Sequence, residues 1–271
     1  MNIGLKKIFD EMKIEYFAVL SYDDCRVTSE RIMSRENFTP RSVIIYLLPY
    51  YTGECKNISR YAASLDYHIA IAETSKRITD YLSQAYPGCS FRGYGDHSPI
   101  DERHAAIAAG LGMLGDSGLL INEKYGTYVF IGDVICDVEP ALLDAVTPKE
   151  LQRCIGCGAC KVACPTGILC GKGDDCLSAI TQRRGELTED EKNLMRTFNT
   201  AWGCDECQSS CPYNRNPELT PIEFFYSDRI DELTKENLAA MDNDAFSKRA
   251  FAWRGRAVLE RNLEVLSSNK D

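Results

Sequence analysis

Nothing in this sequence is long and apolar enough to cross a bilayer as a helix. Its apolar runs fall well short of the ~20 residues such a span requires, so a helical membrane protein is excluded. A secretory leader is not expected either: Met1–Lys13 carries Lys6, Lys7, Asp10, Glu11 and Lys13 and has no apolar core. Positive charge is scarce. With 31 Lys and Arg against 40 Asp and Glu, the formal net charge is −9. A protein that grips nucleic acid mainly through phosphates is usually basic, so bulk charge argues mildly against that mode while leaving room for a local basic patch. There are only three histidines, and His68, His97 and His104 are too scattered for a zinc triad. Low-complexity tracts and long-period repeats are missing. What remains is a chain of 271 residues, 44% hydrophobic, enough for one large core or two modest ones.

Cysteine is abundant, with 13 residues, and eight of them are organised. Cys154, Cys157, Cys160 and Cys164 followed by Pro165 read C-x2-C-x2-C-x3-C-P. Cys204, Cys207, Cys211 and Pro212 form a second run, and Cys176 stands between the two. This is the pattern of two-cluster bacterial ferredoxins, in which each cluster takes its fourth cysteine from the distant C-P run. The spacing assigns Cys154, Cys157, Cys160 and Cys211 to one [4Fe–4S] cluster. Cys204, Cys207, Cys176 and Cys164 go to the other. Two residues between ligands let a tight turn aim both thiolates at one cluster, and small residues (Gly156, Gly158, Ala159) let backbone amides approach the sulfurs. Pro165 and Pro212 donate no backbone hydrogen bond and turn the chain away after each closing ligand. A disulfide framework does not suit a leaderless chain, which belongs in a reducing cytoplasm. Structural zinc is the stronger rival, but a four-cysteine run closing in C-P exceeds what a zinc ribbon needs. Cys170 receives no role.

Before the cysteines, the pattern alternates. Ile3, Leu5, Ile8 and Met12 suggest a first helix, and Tyr16–Leu20 a strand. Val43–Leu48, ended by Pro49, reads as a strand buried on both faces. Ala62–Tyr86 predicts a long helix ended by Pro87-Gly88, and Phe91–Tyr94 a short strand. Ser98 as N-cap and Pro99 at the first helical position open a helix that stops in Gly110-Leu-Gly-Met-Leu-Gly115. Leu119–Asn122 and Tyr128–Ile135 read as paired strands around Glu123–Thr127. Such alternation argues a mixed α/β (α+β) domain.

Asp96, in Tyr94-Gly-Asp-His-Ser-Pro99, reads from composition as a turn aspartate capping the following amides. His97 beside it is placed to line a pocket, and His104 reads as an ordinary surface or half-buried residue. Asp66-Tyr-His68-Ile-Ala-Ile71 nearly matches the D-x-H-x-x-G corrinoid-ligand motif, but Ile71 replaces the glycine. Gly110, Gly112 and Gly115 follow a helix rather than a strand, so a dinucleotide fingerprint fails; they read as a helix end and a loop open to close backbone approach.

Taken in order, Arg60-Tyr-Ala-Ala-Ser-Leu-Asp-Tyr-His68, Asp96-His-Ser-Pro-Ile-Asp-Glu-Arg103, Ala109–Gly112, Cys154–Pro165 and Gly203–Asn214 resemble the epoxyqueuosine reductase family, from about Tyr46 to Asn262. The resemblance implies a catalytic domain like those of reductive dehalogenases and cobalamin-processing proteins, a two-[4Fe–4S] ferredoxin-like module and a helical tail. It divides the chain at 1–145, 146–218 and 219–271. It implies cobalamin as a second cofactor, with Tyr61, His97, Ser98, Gly110 and Gly112 as contacts, and Asp96 as the acid that protonates the epoxide oxygen from a closed pocket. It further implies tRNA carrying epoxyqueuosine as substrate, an external low-potential electron donor and a monomer in the cytoplasm.

The chain departs from the family pattern in three places. Met113 and Asp116-Ser117 stand where the family usually has Trp and Lys-Asn, the region before Val43 is short, and the chain stops where a C-terminal helical-repeat domain would begin. Two alternatives therefore stay open: a ferredoxin-type carrier or corrinoid-activating protein, and a related reductase of a smaller substrate. In the tail, Asp231–Met241 and Ala245–Leu266 read as helices, with Phe246, Ala250, Trp253, Ala257 and Leu263 inward. Lys248, Arg249, Arg254, Arg256 and Arg261 make the last helix locally basic. This is either a solvated amphipathic face or a surface for phosphates.

Overall fold

The computed structural model describes residues 3–268. They divide into two compact units, one of residues 1–49 and 68–156, the other of residues 50–67 and 157–271.

The first unit is built on a sheet in the order β1-β2-β6-β3, comprising β1 (Phe17–Ser21), β2 (Ser42–Pro49), β3 (Phe91–Tyr94) and β6 (Val129–Cys136). Every pairing in it is antiparallel, so the mixed class takes its α+β form. β2 is central and buried along its whole length, as its unbroken apolar run requires. One face of the sheet packs α1 (Ile3–Glu11) and α3 (Tyr67–Ala85), whereas the short α2 (Glu30–Met33) has no buried residue. On that face Phe9 stacks on Phe17 at 3.9 Å, and the Tyr46 hydroxyl meets Ser75 Oγ at 2.9 Å. Tyr46 lies across Gly132, where a Cβ would come within 2.4 Å of the ring. The other face packs α4 (Glu102–Ala108), whose Ala105, Ala106, Ile107 and Ala108 join Leu20, Val43, Ile45 and Ile135 in one core.

Three local expectations differ from the structure. The long helix begins at Tyr67, not Ala62: a 3-10 turn at Arg60–Ala62 precedes it, and Leu65 bridges to Arg249. Ser98-Pro99 does not open α4. Pro99 O accepts hydrogen bonds from Thr28 and Ser29 and Ile100 bridges to Val27, which holds this stretch extended. The cap is Asp101, whose Oδ1 accepts from His104 N at 3.1 Å. Leu119–Asn122 does not pair with the following strand. β5 (Leu120–Ile121) pairs with β4 (Met113–Leu114), while β6 is taken up by β2 and β3.

The second unit is helical: α5 (Ala159–Ala163), α6 (Leu177–Gln182), α7 (Glu189–Thr197), α8 (Glu206–Ser209), α9 (Lys235–Ala240), α10 (Asn243–Ser247) and α11 (Arg256–Ser267). Its larger core surrounds Trp202 and Phe251 and includes Ile58 and Ala62 from residues 50–67. A smaller one joins Leu177, Ile180, Leu187, Met195 and Val265. α7 starts in a capping box between Thr188 and Glu191. The helix expected over Ala245–Leu266 is broken. Gly255 sits at φ 86°, which only glycine adopts readily, between a 3-10 turn and α11. Phe246, Ala250 and Leu263 are buried as expected, but Trp253 is 57% exposed and Ala257 is exposed. Among the described residues no helix is long and apolar enough to cross a membrane.

Candidate active site and cluster ligands

Asp96 lies in the loop between β3 and α4 with a left-handed backbone, φ 62°. Aspartate tolerates that conformation better than most residues because its short side chain bonds locally. Its backbone N–H donates to Glu102 Oε1 at 3.0 Å, so the first turn of α4 holds the loop. Its carboxylate stands 3.7 Å from His68 Nε2. The Asp96 side chain is 51% exposed rather than enclosed. It does not cap α4, which Asp101 does. Asp96 and Ser98 open onto a cavity of about 410 Å³. Glu102 and Arg103 form another part of the wall, with Val129, Phe130 and Ile131 of β6. His97 is exposed and is not part of this lining; His104 is half-buried.

Two carboxyl groups at this site escaped the sequence reading. Glu102 is pushed up to about 8, first by burial, then by the charges of Asp133 and Asp96. Asp133 is 0% exposed and pushed up to about 7 by burial. The Ser98 hydroxyl lies near enough to oppose that shift but falls short of a hydrogen bond, since neither Asp133 oxygen has a partner in the structure. Asp133 follows Val129 and Ile131 at the strand period of two, so it sits on the cavity face of β6, deeper than both. The one signal available was a charge inside the apolar run Val129–Cys136.

Gly110 ends α4 in a Schellman turn: Leu111 N donates to Ala106 O, Gly110 N donates to Ile107 O, and φ is 79°. A Cβ at Gly112 would lie 2.5 Å from Ile121 O, and one at Gly110 would meet Lys149. Both glycines line a second cavity of about 300 Å³ with Tyr16, Glu123 and Lys149. Tyr61 stands in the other unit, where Trp202 Nε1 donates to its hydroxyl at 2.9 Å.

In the second unit α5, which carries Cys160, packs on α8, which carries Cys207. Burial pushes Cys207 up to about 12, aided by the nearby thiols of Cys204, Cys176 and Cys160. Cys204 is likewise pushed up to about 12, by burial and then by Cys176 among its neighbours. Thiols gathered in this way and joined by no disulfide suit iron, which takes them as thiolates. Gly156 and Gly158 have φ of 65° and 76°, the turn geometry the first run needs. Cys154 belongs to the first unit, and its N–H donates to Leu114 O at 3.0 Å. Asp205, between Cys204 and Cys207, is held by Ser59, by Arg60 N at 2.8 Å and by Arg60 Nη1 at 3.0 Å. This network was not foreseen.

The tail arginines turn inward. Arg249 donates to Ala63 O and Ser64 O, and Arg261 to Arg183 O and Gly185 O. Arg256 donates to Leu238 O, Met241 O and Asp242 O and lies over the Phe246 ring at 4.3 Å. Lys248 pairs with Asp244, and Arg254 covers Trp253 at 3.7 Å.

Residues 153–214 match the model of the 4Fe-4S double cluster binding domain, so the protein carries two [4Fe–4S] clusters. The chain is 33% identical over 224 residues to the epoxyqueuosine reductase of Aliivibrio fischeri, covering 78% of this chain and 58% of that one. It is 32% identical to the epoxyqueuosine reductase of Gloeobacter violaceus, covering 77% and 69%. The chain thus spans little more than half the length of some curated relatives. Among solved structures, epoxyqueuosine reductase from Streptococcus thermophilus shares the fold with TM-score 0.73 at 24% identity, covering 98% of this chain and 81% of that one. An epoxyqueuosine reductase solved with a tRNA-Tyr epoxyqueuosine-modified tRNA stem loop gives TM-score 0.76 at 19% identity, covering 97% and 80%.

Proposed function

Because the chain belongs to the epoxyqueuosine reductase family, we propose that it reduces the epoxide of epoxyqueuosine in tRNA to give queuosine. The observation that carries this reading is Asp96, an acid held over a cavity by the hydrogen bond its backbone N–H donates to Glu102 Oε1. When bound, cobalamin supplies a strongly reducing cobalt, and the clusters supply electrons one at a time. The cavity joins an apolar strand face, Val129–Ile131, to a polar rim of Asp96, Ser98 and Arg103. That combination suits the ring and amide edge of a corrinoid. Ser98 borders it. His97 and, from the second cavity, the backbones of Gly110 and Gly112 are the other contacts proposed in this unit.

The protein's own tasks are placement and protons. Asp96 gives a proton to the epoxide oxygen, which leaves poorly as an alkoxide. On this reading residues 1–145 bind cofactor and substrate, 146–218 conduct electrons from a low-potential donor, and 219–271 support the cluster module. The protein works as a cytoplasmic monomer, best at low oxygen.

The test is turnover of epoxyqueuosine-containing tRNA by the anaerobically loaded chain. Asp96→Asn is expected to lower kcat by about 100-fold or more while retained cobalt per chain stays the same. A variant that turns over at the wild-type rate removes Asp96 from the chemistry. A wild type that passes electrons but never turns over would favour the carrier reading. Turnover of a small epoxide unaffected by bulk tRNA would favour the smaller substrate.

A further inference from the structure

We propose that Glu102 and Asp133 form a proton store behind Asp96, providing the second proton that removal of the epoxide oxygen requires. This rests on the reductase reading above. Converting an epoxide to an alkene breaks both C–O bonds and releases the oxygen as water. Two electrons come from the external donor, and two protons end on the oxygen. Asp96 delivers the first and is left a carboxylate. Glu102 opens onto the same cavity and reprotonates it for the second. Asp133 shares the vacancy on Glu102, and the pair refills from solvent between turnovers.

The geometry supports a store rather than a scaffold. Asp133 is fully buried, has no hydrogen-bond partner among the described residues and continues the strand face that lines the cavity. A carboxyl kept only for stability would cost less as an apolar side chain. The pair is also coupled. Charge on Asp133 raises Glu102 and so helps it keep its proton. The other groups facing the pair do not compete near neutral pH. Tyr22, Cys25, Tyr46 and Tyr94 are all raised above their ordinary values by burial. Asp96 and Asp101 lie before α4 and Arg103 stands at the rim. His68, half exposed beside Asp96, is a rival source of a proton.

Two readouts test the store. In the cluster-loaded chain without substrate, infrared titration should show protonated carboxyl bands that ionise between about pH 7 and 8. Glu102→Gln and Asp133→Asn should each remove one band, and Asp133→Asn should move the remaining transition to lower pH. In turnover, the wild-type rate should fall as pH rises through this range. Glu102→Gln should lose that limb and Asp133→Asn should shift it to lower pH, each with kcat at pH 8 about tenfold lower and KM unchanged. Glu102→Gln keeps the acceptor for Asp96 N–H, so a purely structural Glu102 predicts a wild-type pH profile. His68→Gln should keep the alkaline limb. No protonated carboxyl above pH 6, or variants that keep the wild-type limb, would overturn the store while the reductase reading stands. A wild type inactive on epoxyqueuosine-tRNA would overturn that reading and the store's role with it, even where the bands titrate as expected.

Discussion

Asp133→Asn offers a direct measure of how strongly the first unit holds a proton in its core. The side chain is fully buried and its folded value is about 7 against an ordinary 3.8. Below the ordinary value both folded and unfolded chains are protonated, and the contribution is fully present. As pH rises past that point the unfolded chain gives up its proton while the folded chain keeps it. Stability therefore falls until the folded group ionises near 7, then levels off. Over about two pH units, from 5 to 7, one proton held only by the folded state is worth roughly 3 kcal/mol at about 1.4 kcal/mol per unit. Asparagine has nearly the same shape and no such slope. Whatever its buried amide costs is the same at both pH values and cancels in the difference, as Glu102's contribution largely does. Trp202 and Trp253 both lie in the second unit, so fluorescence would report the wrong half. Anaerobic amide exchange at β2 and β6 reads the right one. The wild type should lose roughly 3 kcal/mol more protection than the variant between pH 5 and 7. Parallel loss in the two proteins would refute the buried-proton argument.

Cys207→Ser should lower iron from about eight to about four atoms per chain and leave cobalamin retention intact; iron unchanged, or zinc in its place, would overturn the ligand assignment. Arg256→Ala leaves the carbonyls of Leu238, Met241 and Asp242 without their donor and should destabilise the second unit by about 2–4 kcal/mol, read from Trp202 fluorescence in anaerobic urea. Arg254→Ala, which removes only a cover from an exposed indole, should cost less than about 1 kcal/mol. If Arg254→Glu weakens tRNA binding at unchanged stability, the phosphate-surface reading of the tail returns.

What the sequence revealed, and what it hid, follows the range of the interactions. β2 was readable because a strand buried on both faces must be apolar at every position. The double-cluster domain was readable because its cysteine spacing is a local pattern. Non-local pairing was not. Leu119–Asn122 and Tyr128–Ile135 look like a hairpin, yet β2 and β3 claim both edges of β6, and no local pattern encodes that. The α4 cap shifted from Ser98 to Asp101 because backbone partners near Thr28 hold Pro99 extended. The tail helix broke at Gly255 despite good periodicity on both sides. The charges of Arg249, Arg256 and Arg261 were visible, but not that backbone carbonyls use them. Asp133 was the least legible: on sequence it is one charge in a strand, and only its lack of partners gives it meaning.

Residues 50–67 have a consequence for how this protein can be divided. They leave the sheet after Pro49, enter the cluster-bearing unit and return at His68. There Asn57 exchanges hydrogen bonds with Leu233, Ser59 N–H donates to Trp202 O, and Arg60 clamps Asp205 between Cys204 and Cys207. No single cut separates the halves. Three junctions, at 49/50, 67/68 and 156/157, would have to be severed and rejoined. An excised fragment beginning at residue 146 would keep all eight of the motif cysteines yet lack the clamp on Asp205. A cluster module of this kind cannot be moved as one contiguous stretch of chain. Whoever borrows it must also borrow residues 50–67, a segment set apart from it in the sequence.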